Sequence, residues 1–166
     1  MIDPTCVRTM ARYNQWQNGS LYTAADTLPD EARRQDRGAF FKSVHATLNH
    51  LLWADNMWMS RLSDLPAPTV KFADSTTFVD GWEELKRGRA VCDKHILAWA
   101  DRLGAETIAG ELVWRSSTLG SEVSRPRWLA IVHFFNHQTH HRGQVHAMLT
   151  AAGAKPLDTD LIMMRS

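Results

Sequence analysis

H-F-F-N-H-Q-T-H-H-R-G-Q, residues 133–144, holds four of the chain's eight histidines, and His146 follows two residues later. The apolar residues around it (Leu129, Ile131, Val132, Phe134, Phe135, Val145, Met148 and Leu149) recur at helical spacing and predict one long helix. On that helix His137 and His141 stand one turn apart on a common face, because side chains at i and i+4 stack. Two imidazoles so placed can take adjacent positions on one metal ion, the arrangement of H-x-x-x-H metal helices. In a chain this rich in histidine one such pair is a weak signal. The stretch contains two overlapping pairs, since His133 lies one turn before His137.

Working outward, Ser124 and Pro126 predict the start of this helix, Gly153 its end, and Pro156 bars its continuation. The tail, residues 157–166, keeps an apolar patch (Leu161, Ile162, Met163, Met164) expected to fold back on the rest. Upstream, residues 107–124 read as extended pieces around Ser117-Thr118-Leu119-Gly120, a small hairpin that needs something to pack on. Residues 78–103 predict a third helix with Gly104 as its stop. Pro66 and Pro68 open a loop through residue 76. Residues 43–61 read as a second helix whose stripe is Ala46, Trp53, Ala54 and Met57, with His50 in its middle. His45 lies about 140° around that helix from His50 and is expected in solvent. A polar connection at residues 33–38 leads back to a first helix over residues 4–27, with the stripe Met10, Tyr13, Gln17, Leu21 and Ala24 and Asn14 beside it. The expected fold is all-α: a four-helix bundle with a short hairpin-like insertion before the last helix, forming one domain over residues 1–166.

Composition narrows the function classes. Nineteen basic and eighteen acidic residues leave a net charge of +1. That balance argues against a nucleic-acid-binding face, which shows clustered excess Lys and Arg. No apolar run is long enough to span a membrane. Met1-Ile2-Asp3-Pro4 lacks the pattern of a signal peptide, and the two separate cysteines, Cys6 and Cys92, read as free, packed thiols. Together these predict a cytoplasmic protein. Seven tryptophans are expected as core anchors or a dimer face.

A histidine on a buried stripe carries a polar group that must be satisfied. One solution brings His50 to the fourth helix, where it meets two imidazoles at a metal ion. Three neutral nitrogens suit Zn²⁺ or Ni²⁺ and leave a coordination position open, as catalytic sites do. Spacing alone admits two triads, His50 with His137 and His141, or His50 with His133 and His137. His140 is placed at the rim, and His146 off the shared face. His95 has no partner at metal spacing.

The motifs resemble those of the DinB (DinB/YfiT-like) family. N-H-Q-T-H-H-R-G-Q at residues 136–144 is similar to the family's signature, as are L-N-H-L-L-W-A-D at residues 48–55 and Y-N-Q-W-Q-N at residues 13–18. The resemblance implies a four-helix bundle with an unusual helix order, commonly a homodimer. It also implies a divalent ion held by His50, His137 and His141. Related members include thiol S-transferases that use a low-molecular-weight thiol as cosubstrate. The family's name reflects DNA-damage induction, a matter of gene regulation.

Three readings follow from such a site. A metal-dependent enzyme could activate a thiol, as the transferase relatives do, or a water, as a hydrolase does. A non-catalytic metal-binding or stress-response protein would use the ion to tie two helices together. The glutamate of H-E-x-x-H is missing, so a zinc protease lacks its general base. Tyr13 and Asn14 are candidates for the cavity wall or for interhelical packing. Asp55 is expected in a helix-end or surface ion pair, or as a partner of a ligand. Arg142 is expected to pair with a carboxylate or to bind an anionic substrate.

Overall fold

The computed structural model describes residues 2–116 and 120–164. Four long helices make the body: α1 (Pro4–Asp26), α3 (Val44–Leu62), α4 (Trp82–Arg102) and α6 (Arg127–Ala151). Short helices α2 (Asp30–Arg34) and α5 (Ala105–Ala109) and the antiparallel pair β1 (Glu111–Arg115) and β2 (Glu122–Pro126) fill the connections. α1 packs on α4 and α6, and α3 packs on the same two, so consecutive long helices α1 and α3 sit across the bundle diagonal. This is the expected all-α bundle, with its hairpin before the last helix.

Local chemistry sets the helix ends. The Asp3 carboxylate accepts from Cys6 N–H at 2.7 Å ahead of Pro4, and the Ser43 hydroxyl accepts from Ala46 N–H at 3.1 Å. α6 closes in a Schellman turn: Gly153 takes φ +83°, its N–H donates to Thr150, and Ala154 N–H donates to Leu149. The third long helix begins at Trp82, four residues later than the periodicity predicts. Val79 N–H instead donates to the Asn49 side chain at 2.6 Å, which ties the preceding loop to α3. Within that loop residues Phe72–Thr77 form a 3-10 helix that the Pro-rich sequence concealed.

The hairpin gains its stability by packing, as a lone hairpin must. Leu112 is buried, and Trp114 meets Trp58 of α3 edge-on at 5.9 Å. Of its predicted turn, residues 117–120, the first three lie outside the described residues, and Gly120 holds φ +67°. The tail departs from expectation. Its backbone docks on α1, with Leu157 N–H donating to Ser20 Oγ, Gln17 to the Asp158 carbonyl, and Tyr13 Oη–H to the Thr159 carbonyl. Its apolar side chains stay out: Leu161, Ile162 and Met163 are exposed. The docking is polar because an irregular backbone needs hydrogen-bond partners that α1 supplies. Cys92 is buried as expected, whereas Cys6, in the first turn of α1, is exposed. Trp53, Trp82 and Trp99 are core residues.

Polar groups fill the bundle centre. Arg89 of α4 lies between Asp55 of α3 at 2.6 Å and Asp93 one turn along α4 at 2.9 Å, and all three are buried. Asn14 and Asn18 of α1 donate to the same Asp93 oxygen at 3.3 and 2.9 Å. Arg142 of α6 donates to Asn14 Oδ1 and to Thr139 Oγ1. Every long helix therefore contributes to one buried network. Replacing Arg89 with alanine strands two buried carboxylates. The expected cost is about 3–5 kcal/mol, read from the urea midpoint of Arg89→Ala against wild type.

Candidate metal centre

α3 is buried on nearly every side from Val44 to Asp55, because α6, α4, α2 and the 3-10 helix all pack on it. Two consequences follow for its histidines. His50 points inward toward α6, as its stripe position predicts. His45, expected in solvent, is buried as well, and Asn49 Nδ2 approaches its Nδ1 at 3.2 Å. The 140° offset from His50 leads to another packed surface, where His45 faces Trp82 at 6.4 Å.

His50, His137 and His141 converge. Each offers one ring nitrogen, and these nitrogens lie within 4.8 Å of one another. His50 Nε2 and His137 Nε2 are 3.2 Å apart. The outward nitrogens of two rings have partners: His50 Nδ1 lies 3.0 Å from Ser75 Oγ, and His141 Nδ1 lies 2.9 Å from Gln144 Oε1. An amide oxygen only accepts, so His141 carries its proton on Nδ1 and turns Nε2 inward as a lone pair. Burial, followed by the neighbouring His141, lowers His50 from 6.5 to about 4. Burial and then the His141 and His50 rings lower His137 to about 3. Burial also lowers His141, against the opposing effect of its Gln144 bond. All three are neutral at pH 7, with lone pairs available to a cation.

The other histidines fall outside the cluster. His133 is exposed, and its ring lies 4.9 Å from Trp58, which removes it from the rival triad. His140 is exposed at the rim beside His141, with Gln144 Nε2 at 3.3 Å, and His95 is exposed on α4. The polar candidates belong to the core instead. Asp55 forms a buried pair with Arg89 rather than a surface or helix-end pair, because α3 has no free face at that position. Among the described residues Arg142 meets no carboxylate directly. It reaches Asn14 and Thr139 and lies over the Tyr13 ring at 5.4 Å. Burial lowers it to about 10. Tyr13 and Asn14 take the packing and hydrogen-bonding role.

Sequence reading missed three groups at the centre. Ser75 comes from the 3-10 helix, which is held in place by Trp53 Nε1–H donating to the Val70 carbonyl at 2.8 Å and by Asn49. Phe41, from the turn before α3, lies 4.0 Å from His50 and 5.3 Å from His141. No local signal marks either one. Gln144 was legible, standing three residues after His141 on the same helix face.

The DinB family model matches residues 1–166. This chain belongs to the DinB family. Protein DinB of Bacillus subtilis (strain 168) is 26% identical over 153 residues, covering 89% of this chain and 87% of that protein. The DinB motifs divide by task. His50, His137 and His141 make the cluster, Asn49 and Trp53 anchor the loop above it, and Asn14, Asn18, Asp55 and Arg142 build the buried network. No helix among the described residues is long and apolar enough to cross a membrane.

The depressed imidazoles predict acid sensitivity. The unfolded chain takes up protons at about pH 6.5, whereas folded His50 and His137 resist protonation until about pH 4 and 3. Stability of the protein free of metal is therefore full above that window and falls as pH drops through it. Urea midpoints at pH 7.5, 5.5 and 4.5 check this, with a smaller loss expected for His137→Asn.

Proposed function

We propose that His50, His137 and His141 hold one divalent ion, zinc or nickel, and that the protein is a metal-dependent thiol S-transferase acting on a small molecule with a low-molecular-weight thiol as cosubstrate. The observation that carries the metal reading is the convergence of three neutral imidazoles within 4.8 Å. The spacing suits an ion: two nitrogens at tetrahedral zinc distances lie about 3.3 Å apart, close to the 3.2 Å between His50 and His137. Ser75 and Gln144 fit as outer partners that orient ligand rings. Three protein ligands leave a position open for a small molecule.

A divalent ion held there supplies an electrophilic centre that lowers the pKa of a bound thiol or water. The chain's own groups favour the thiol. Among the described residues the hydrogen-bond and ring partners of the three imidazoles are a hydroxyl, an amide, an indole, phenyl rings and other imidazoles. No carboxylate is among these partners, and a thiol ionises on binding the ion with its proton passing to solvent. His50 and His141, oriented by Ser75 and Gln144, would be two of the ligands, and Phe41 and Phe72 border these rings. The reading includes a homodimer, supported by the exposed apolar side chains of the tail. Sedimentation is expected to give twice the mass of one chain.

Elemental analysis of untagged protein tests the site. About one ion per chain is expected in wild type and in His133→Ala, and none in His50→Ala, His137→Ala or His141→Ala. Ser75→Ala and Gln144→Ala are expected to weaken metal affinity about 10-fold or more, measured by competition with a chromophoric chelator. Metal retention without thiol binding at the ion would assign the centre a structural role.

A further inference from the structure

Phenyl rings border the His50 side of the cluster: Phe41 is half-buried, and Phe40 and Phe72 are exposed. Phe41 lies tilted to both rings, its centroid 4.0 Å from His50 and 5.3 Å from His141. Phe40 meets Phe41 edge-on at 4.8 Å and is 77% exposed. Phe72 meets His50 edge-on at 5.9 Å and Trp53 at 5.8 Å, and is 59% exposed. These rings come from two segments, the turn before α3 and the 3-10 helix after it. Phe41 and Phe72 both contact the His50 ring, and Phe40 extends the first segment outward from Phe41.

The turn that presents Phe40 and Phe41 is strained. Lys42 holds φ +67°, a left-handed conformation that disfavours a side chain with Cβ. Short backbone bonds hold it: Lys42 N–H to Ala39 O at 2.7 Å, Arg37 N–H to Lys42 O at 2.8 Å and Ser43 N–H to Phe41 O at 2.8 Å. A simple connection between α2 and α3 needs neither the strain nor two consecutive phenylalanines. Exposed phenyl rings beside a polar cluster are unfavourable in water unless something apolar covers them.

We propose that the small molecule taken at this site carries an apolar, ring-sized body, received between Phe40, Phe41 and Phe72 while its metal-binding atom reaches the three histidines. This rests on the metal reading above and names the substrate class for it. Phe40 and Phe72 are then specificity-determining residues. Both are largely exposed and lie outside the buried core.

The test uses cobalt(II)-loaded protein and follows its visible absorption during titration with 2-phenylethanethiol and with 2-mercaptoethanol. Wild type is expected to bind the phenyl thiol about tenfold more tightly or better. The ratio should fall toward one in the double variant Phe40→Ala/Phe72→Ala, with the cobalt spectrum before titration unchanged. Equal affinities in wild type, or a ratio that survives the double substitution, overturn the proposal and leave the metal reading intact. Failure to bind cobalt overturns both. A dimer that the double substitution dissociates without changing the thiol ratio assigns these rings to self-association, and also overturns it.

Discussion

Arg89 sits with its guanidinium between two carboxylates in a place that water does not reach. Charges there are tolerated only when each has a partner, and that constraint reaches all four long helices. α3 must present Asp55, α4 both Arg89 and Asp93, α1 the amides of Asn14 and Asn18, and α6 the Arg142 guanidinium. Apolar side chains of similar volume would often hold such a centre equally well. A polar centre differs in demanding one rotational setting of each helix, since a turned helix leaves a charge unpaired. We read the network as a register device, which explains why α1 carries an amide-rich face inside a bundle.

The same setting prepares the histidine cluster. Arg142 directly follows His141, so anchoring its side chain at the centre turns His141 toward α3. Asp55 and His50 share α3, and the pair with Arg89 limits how that helix can rotate. The cluster then lies where two faces meet at a fixed angle, with its imidazoles dry enough to stay unprotonated. Neutral lone pairs that converge are what a cation requires and what protons compete for. The loop above completes the arrangement, since Asn49 and Trp53 of the L-N-H-L-L-W-A-D run hold the segment that brings Ser75 to His50.

Much of this was legible from local pattern. Apolar spacing, Pro126, Gly104 and Gly153 marked the long helices to within a few residues, because helix-end signals and periodicity are properties of short windows. His137 and His141 share a face by helical geometry alone, and His50 stood out as a polar residue on an apolar stripe. The failures share a cause. A one-sided stripe puts His45 and Asp55 outward, yet α3 is enclosed on nearly every side from Val44 to Asp55, and a helix cannot reveal by itself how many neighbours it has. The tail's apolar run suggested burial, while its backbone made the contacts.

The sequence by itself determined the four long helices, the hairpin and the set of histidines from which the cluster is drawn, since each depends on residues within a few positions of one another. Only the tertiary structure decided which triad forms, that Ser75 and Phe41 join it, and that the motif's Asn, Asp and Arg serve the core. Those outcomes depend on which helix faces which. His50 and His137 meet across 87 positions of chain, and Asn14 and Arg142 across 128. No local periodicity encodes such a meeting; the pairing of charges and the packing of apolar faces across the bundle select it.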